Sequence, residues 1–119
     1  MNNIPSNLLT PDSIQKKYLT LNVANDFLNY RLDGKYDWIV PQLWCDSDAA
    51  WSAGAVVTLE CSLDGTAWSA FPTPVTGYSA LGVQNTVYCR GLNYVRFRVS
   101  TVGASATVMR VLLVGGVDP

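Results

Sequence analysis

The chain has 119 residues, of which 49% are hydrophobic and 14% are charged, so it suits one domain with a substantial core and is too apolar to be disordered. Its charged fraction is well below the ~25% of an ordinary globular domain, which indicates a very apolar core or a surface partly buried against other chains. The formal net charge of −1 argues against a nucleic-acid-binding protein, which needs a basic face, although four arginines lie in the last third: Arg90, Arg96, Arg98 and Arg110.

Residues 1–15 are predicted to form an extended N-terminal arm. Two prolines and three asparagines disfavour regular structure there, whereas four apolar side chains indicate that the arm lies against something: Ile4, Leu8, Leu9 and Ile14. Two interpretations stay open, a frayed terminus or an arm that packs along a neighbouring subunit. The segment lacks the charged region and apolar stretch of a signal peptide, and no window of the chain reaches the ~20 apolar residues of a membrane helix.

The next part of the chain alternates apolar and polar residues. Leu19, Leu21 and Val23 predict a half-buried strand that begins near residue 16, and Asp33-Gly34 predicts a turn. A second strand is predicted over residues 36–44. Its Pro41 cannot donate a hydrogen bond to a neighbouring strand, so we expect this strand at a sheet edge or at a bulge. A loop carrying Trp51 is predicted over residues 46–54.

The second half continues this alternation. The stretch "ECSLDGTAWSAF" predicts a hairpin in which Asp64-Gly65 forms the turn and the chain returns through Trp68 to Phe71. Strands are predicted over residues 55–62, 83–89, 94–101 and 106–114. The side chains expected in the core are Val57, Leu59, Cys61, Val83, Val87, Cys89, Val95, Phe97, Val99, Met109, Val111 and Leu113.

Seven or eight short strands separated by turn signals, with no helical apolar stripe, predict an all-β protein. The expected fold is an antiparallel β-sandwich or a jelly-roll-like barrel of about seven to eight strands. The domain organisation is an N-terminal arm over residues 1–15 and a single β-sandwich domain over residues 16–119.

The last predicted strand is apolar on both faces. If Met109 and Leu113 face the core, then Leu112 and Val114 lie on the opposite face, which would be polar if it met water. Either the strand lies beneath another layer of the same chain, or Leu112 and Val114 lie at a subunit contact.

Residues suited to catalysis or metal binding are scarce. The chain has no histidine and a single glutamate, Glu60, so an ordinary catalytic triad is excluded and no enzymatic activity is expected. Its three cysteines have no Cys-x-x-Cys spacing, which favours buried, reduced thiols over a zinc site. Asp46-x-Asp48 resembles part of a calcium loop but lacks the glycine and the distal glutamate, so a solvated loop is favoured. No cofactor or metal is predicted.

The four tryptophans are the remaining candidates for a binding site. Trp38 and Trp68 are expected to fill the core, because a buried indole removes a large apolar area from water. Trp51, between small residues in a loop, is predicted to be an exposed contact for a sugar or for a protein partner.

From Tyr36 to Val114 the chain resembles small structural proteins of tailed-bacteriophage virions. The resemblance depends on "AVVTLECSLDGTAWSAF", a strand followed by an S-x-D-G-x-x-W hairpin, on "GLNYVRFRVST", and on the valine-rich closing strand. "YVRFRV" is also similar to the closing strands of discoidin-type and carbohydrate-binding sandwiches.

The phage resemblance implies a non-enzymatic virion protein that is assembled in the cytoplasm of the bacterial host. It would be a capsid decoration or cement subunit that binds copies of itself, with a trimer favoured, and the major capsid protein, but no nucleic acid or membrane. The candidate interface residues are Ile4, Leu8, Leu9, Ile14, Trp51, Leu112 and Val114. Two alternatives remain: a carbohydrate-binding module at a fibre tip or receptor-binding site, which would bind a glycan through Trp51, and a tail or connector protein.

Overall fold

The computed structural model describes residues 6–12, 16–45, 50–71 and 77–118. Within these ranges the chain is all-β, as predicted, and holds no helix long and apolar enough to cross a membrane. The strands are β1 Ser6–Leu9, β2 Leu19–Thr20, β3 Phe27–Arg31, β4 Trp38–Cys45, β5 Val56–Ser62, β6 Gly82–Val83, β7 Val87–Tyr88, β8 Tyr94–Thr101 and β9 Val108–Gly116.

The strands form two antiparallel sheets that enclose one core. In the large sheet β9 lies between β1 and β4, with β2 also beside β9, and β6 and β7 pair with the far side of β4. In the small sheet β8 lies between β3 and β5. The β-sandwich prediction is therefore confirmed, and its two outer faces are the surfaces open to partners.

The core forms where the period-two pattern is strictest. The expected side chains of β5, β8 and β9 are buried, and Phe97 at the centre of β8 is fully enclosed. Its ring meets Tyr30 of β3 edge-on, with ring centroids 5.7 Å apart and planes at 82°, and lies 6.1 Å from the ring of Tyr78. Edge-to-face packing of this kind adds to the free energy gained by burial alone.

The strand predicted from residue 16 differs from the observed structure. Only Leu19–Thr20 pairs with β9, and the chain then turns through Asn25, whose φ is 62°. Asparagine tolerates this left-handed conformation better than most residues. The turn leaves Val23 exposed, and β3 begins after it. The sequence pattern did not separate β3 from the preceding strand, because Phe27 is apolar but faces outward.

The expectation that Pro41 marks a sheet edge is wrong, because β4 is a central strand that pairs continuously with β9. On the other side of β4 the register changes by one residue between β7 and β6, next to Pro41, which agrees with the alternative of a bulge. The Pro41 carbonyl accepts a hydrogen bond from the Gln84 backbone at 2.8 Å, on the side of β4 that faces β6 and β7. Residue 41 lies opposite the gap between these two short strands, which pair with residues 42–43 and 38–39. The regular pairing of β4 with β6 and β7 is interrupted at this position, so a proline without an amide hydrogen is tolerated.

The Asp64-Gly65 turn is a tightly hydrogen-bonded corner. The Asp64 carboxylate accepts from the backbone amides of Thr66 and Ala67 at 2.8 and 2.9 Å, and Gly65 has a φ of 79°. Up to residue 71, where the described part of this segment ends, its backbone pairs with β5 only at an isolated bridge between Cys61 and Ser69, so it is not a full strand. Phe71 is buried as predicted.

Three side chains expected in the core lie outside it. Trp68 lies outside the small sheet, and the Trp38 ring lies on the outer face of the large sheet. The predicted strand over residues 83–89 is instead two short strands, β6 and β7, and Val83 is exposed.

The three cysteines are buried and form no disulfide, which confirms the prediction of reduced thiols. Burial, with a smaller contribution from the Asp37 carboxylate, raises the pKa of the Cys89 thiol to about 11. Because the thiolate is the reactive form, this cysteine is protected from oxidation near neutral pH.

Candidate interaction surfaces

The outer face of the large sheet is apolar. Paired residues of an antiparallel sheet share a face, so β4 and β9 present alternate residues outward, and β1, β6 and β7 extend the same surface. Tyr88, Val83 and Leu8 are 73%, 69% and 63% exposed. We call this outer surface of the large sheet the apolar face. The side chains that define it are Leu8, Trp38, Val40, Gln42, Trp44, Val83, Tyr88, Arg110, Leu112 and Val114.

A missing side chain in β9 shapes one end of the apolar face. Gly116 is opposite Trp38, and a Cβ built on Gly116 would lie 2.0 Å from Cζ2 of the indole. The glycine therefore lets the Trp38 ring lie directly on the backbone of β9. The ring is half-buried by its own sheet, which explains how a tryptophan expected in the core is accommodated outside it.

The apolar face carries little charge. Among its described residues only Arg110 is charged, and the Arg110 guanidinium lies 5.6 Å from the centroid of the Tyr18 ring. Exposed apolar areas of this kind commonly mark protein interfaces.

The predicted interface residues other than Trp51 fall into three groups. Leu8, Leu112 and Val114 lie on the apolar face, where Leu8 pairs with Val114. Leu9 points to the opposite side of β1 and packs against the core, so part of the predicted arm belongs to the chain's own large sheet. Ile4 and Ile14 lie outside the described residues.

Trp51 is not the exposed platform that the sequence suggested. The indole packs against the core, is half-buried, and donates from Nε1 to the Ala55 carbonyl at 3.1 Å. Its apolar ring and its one polar atom are thus both engaged within the chain. Sequence reasoning missed two better exposed aromatic residues, Tyr88 and Phe27, because each shares a strand with core residues.

The outer face of the small sheet has the opposite character. Glu60 accepts from Arg96 Nε at 2.7 Å and from Arg98 Nε at 3.1 Å, and Arg98 also donates to Asn25 at 2.9 Å. The Arg96 guanidinium lies 4.5 Å from the centroid of the Trp68 ring and 5.7 Å from that of Phe27. The network pairs both guanidinium groups with the one carboxylate and leaves one positive charge in excess, so this face is charged where the outer face of the large sheet is apolar.

We expect Glu60→Gln to make folding less stable by about 1–2 kcal/mol at pH 7, because two half-buried guanidinium groups lose their anionic partner. Burial raises the pKa of the Glu60 carboxyl, but hydrogen bonds from Arg98 and Arg96 outweigh this effect and hold its pKa below the usual range. The stabilisation is therefore complete above the unfolded-state pKa of ~4.3 and is lost as the pH falls through the lower pKa of the folded state.

Denaturant unfolding of wild type and Glu60→Gln between pH 7 and pH 3 measures this effect. The difference in unfolding free energy should shrink in acid, and a constant difference would contradict the assigned role. Asp33→Asn is the matched control, because Asp33 pairs with Arg31 on the exposed surface and should matter little.

An open cleft of about 250 Å³ lies beside this network, at the β3 edge of the small sheet. Its lining includes Asp12, Lys16, Phe27 and Asn29. Lys16 forms an ion pair with Asp26, and the backbone amide of Asp12 donates to the Asn29 carbonyl at 2.6 Å. The side-chain Oδ1 of Asn29 is buried and has no hydrogen-bond partner.

Within the described ranges no group of three or more cysteine and acidic side chains is arranged to hold a metal ion. Asp46 and Asp48, the fragment of a calcium loop, lie outside those ranges. The single glutamate is engaged by two arginines rather than placed in the cleft.

Comparison with known proteins supports the fold. No family model matches the sequence, and no curated protein does. A solved structure with a similar fold is CBM32-3, a carbohydrate-binding module from a family 31 glycoside hydrolase of Clostridium perfringens. The match covers 95% of this chain and 88% of that one, with a TM-score of 0.50 and 17% sequence identity. A match at 17% sequence identity shows a shared β-sandwich fold and no more than that.

Proposed function

We propose that this protein is a non-enzymatic structural subunit that assembles with copies of itself through the apolar face. The observation that carries the proposal is the contrast between the two outer faces. The small sheet carries charged side chains that are paired within the chain, whereas the large sheet leaves Leu8, Val83 and Tyr88 largely in water. Covering these side chains removes apolar area from water at a gain of roughly 25 cal/mol per Å².

A second copy of the chain is the occupant that the charges favour. The net charge of −1 opposes self-association only weakly, and a face with few charges loses little on desolvation. A standard interface buries on the order of 800 Å² per partner. The apolar face spans β1, β9, β4, β6 and β7, most of the width of the large sheet.

The biological setting that we propose is the tailed-phage virion, with the protein as a capsid decoration or cement subunit that also binds the major capsid protein. The sequence resemblance and the apolar face support this setting together. A tail or connector role uses the same chemistry and differs in copy number per particle, which quantitative gel densitometry of virions measures. In each case the protein is synthesised in the bacterial host and functions in the assembled particle.

We expect Leu112→Asp to weaken self-association at least 100-fold, because an unpaired carboxylate buried at an interface costs several kcal/mol. Light scattering on a sizing column should show an oligomer for wild type, with a trimer favoured, and a folded monomer for the variant. Leu63→Asp is the control, since Leu63 is equally large, 65% exposed, and lies in the Asp64 corner. A wild-type protein that stays monomeric at high concentration would contradict assembly through this face.

Carbohydrate binding is the second candidate function, favoured by the fold shared with CBM32-3. Exposed aromatic rings, which sugars commonly stack on, are present at Phe27 and Tyr88. A panel of neutral sugars tests this candidate with the intact protein, and failure to bind any of them would count against it.

A further inference from the structure

We propose that the outer face of the small sheet binds an acidic segment of another protein, with the terminal nitrogens of Arg96 donating to one of its carboxylates. This surface is separate from the apolar face, which lies on the other sheet. The inference therefore goes beyond self-assembly, and it depends neither on that assembly nor on carbohydrate binding.

The strands of the small sheet carry more positive than negative charge. Arg31 lies at the end of β3, and Arg96 and Arg98 lie in β8. Glu60 of β5 is the one acidic residue of these three strands, and Asp33, just after β3, pairs with Arg31. Three guanidinium groups thus share two carboxylates, which leaves one positive charge unmatched. A surface with such an excess attracts an anionic partner.

The hydrogen bonds assign the unmatched charge to Arg96. Arg98 donates from Nε and Nη2 to the two carboxylate oxygens of Glu60 at 3.1 and 3.2 Å, and from Nη1 to Asn25 at 2.9 Å. Arg96 donates to Glu60 from Nε alone, at 2.7 Å. Its Nη1 and Nη2 have no hydrogen-bond acceptor among the described residues, so they are the donors that remain for a partner.

A partner can reach these two nitrogens. Arg96 points away from the core, between the buried Val95 and Phe97, and its side chain is 20% exposed. Its terminal nitrogens are not among the buried side-chain atoms that lack a hydrogen-bond partner. The unused N–H groups of Arg96 therefore face solvent, where an incoming carboxylate can accept from them.

Aromatic rings hold the Arg96 side chain in place. Its guanidinium carbon lies 4.5 Å from the centroid of the Trp68 ring and 5.7 Å from that of the Phe27 ring. The rings stabilise the positive charge but supply no oxygen acceptor for its N–H groups. Because Glu60 also fixes Nε, the side chain is ordered before a partner arrives, which lowers the entropy cost of binding.

A carboxylate on a protein is the anion that this face suits best. The planar fork of a guanidinium matches the two oxygens of a carboxylate. A nucleic acid gains its affinity from many phosphate contacts, whereas this face has a single unmatched cation and the chain has a net charge of −1. Phe27, beside Arg96, is 45% exposed, and arginine and aromatic residues are the types enriched in protein interfaces.

Titration of the full chain with hexaglutamate at low salt tests the proposal, with hexaglutamine as the uncharged probe. NMR of the Arg96 Nε–H and Trp68 indole N–H signals measures the affinity and locates the contact. We expect hexaglutamate to shift both signals and hexaglutamine to shift neither. Arg96→Gln should weaken binding of hexaglutamate at least tenfold. Arg96→Lys should weaken it at least threefold, because lysine keeps the charge but lacks the planar fork.

Arg90→Gln is the matched control, because it removes the same charge from an arginine that is 73% exposed and already pairs with Asp37. This variant should bind hexaglutamate as wild type does. Arg96→Lys keeps a cation beside Glu60, so it tests the site even if Arg96→Gln does not fold.

Four results would overturn the proposal. Equal weakening by Arg90→Gln and Arg96→Gln would indicate diffuse attraction, and wild-type affinity in Arg96→Lys would remove the role of the fork. Failure of wild type to bind hexaglutamate would remove the acidic partner. Tighter binding of oligothymidylate than of hexaglutamate would replace that partner by a nucleic acid. Assembly through the apolar face is measured separately by light scattering and stands or falls on that result.

Discussion

Replacing Phe97 by alanine is expected to remove about 3–5 kcal/mol from the free energy of unfolding, a large share of the roughly 5–15 kcal/mol available to a domain of this size. Phe97 is fully buried at the centre of β8, and it contacts one ring from β3 and one from residue 78. Truncation of Phe97 leaves a cavity between the rings of Tyr30 and Tyr78. These rings would have to leave their present packing positions to fill it.

Denaturant unfolding at neutral pH measures this loss. Tyr30→Phe is the matched control within the same ring cluster, since the Tyr30 hydroxyl is buried without a partner and its removal should leave stability equal or higher. Burial also raises the pKa of Tyr30 far above its usual range, which agrees with a hydroxyl shut away from water. A loss below 1 kcal/mol for Phe97→Ala would show that the cluster is not the centre of the core.

Replacing Gly103 by alanine is expected to cost about 2–4 kcal/mol, through overpacking and disturbed hydrogen bonds. A Cβ on Gly103 would lie 2.1 Å from Oγ and 2.7 Å from Cβ of Ser52, and 3.0 Å from Cβ of Ala55. The two Cβ atoms are fixed by the backbone, and the Ser52 hydroxyl can rotate away only by breaking its hydrogen bonds. Ser52 is buried and its hydroxyl is bonded to Ser105 in both directions, donating at 2.9 Å and accepting at 2.9 Å.

A double-mutant cycle with Ser52→Gly identifies the cause of this loss. The second substitution removes the two closest atoms, so Gly103→Ala should cost at least 1 kcal/mol less in the Ser52→Gly background. An equal loss of unfolding free energy in both backgrounds would mean that the contact with Ser52 is not what makes Gly103→Ala destabilising.

The sequence by itself determined the fold class and most of the core. The alternation in β5, β8 and β9 is visible in the printed chain, because the side of a strand on which a residue lies depends only on its position along that strand. The burial of the cysteines and the apolar outer positions of β9 follow from the same alternation, and the Asp64 corner follows from its Asp-Gly turn residues.

The sequence pattern failed where position in the sheet mattered. Pro41 suggested an edge, yet β4 is a central strand. The missing amide hydrogen of Pro41 is tolerated because this residue lies opposite a gap between two short strands. Trp38 and Trp68 suggested core packing, yet one lies over Gly116 and the other over Arg96. A tryptophan can bury much of its ring against the outside of its own sheet, and no local pattern reveals this.

The candidate surfaces depended on tertiary structure even more strongly. Leu112 and Val114 were identified from β9 alone, but Tyr88 and Val83 join them only because β6 and β7 pair with β4. Glu60 meets Arg98 across 38 residues through the register of β5 and β8, and the cleft forms where Asp12 and Lys16 come beside β3. Strand alternation is a local property that a sequence records directly, whereas strand order and register are set by the packing of the whole chain, so only the folded structure decides which residues become neighbours.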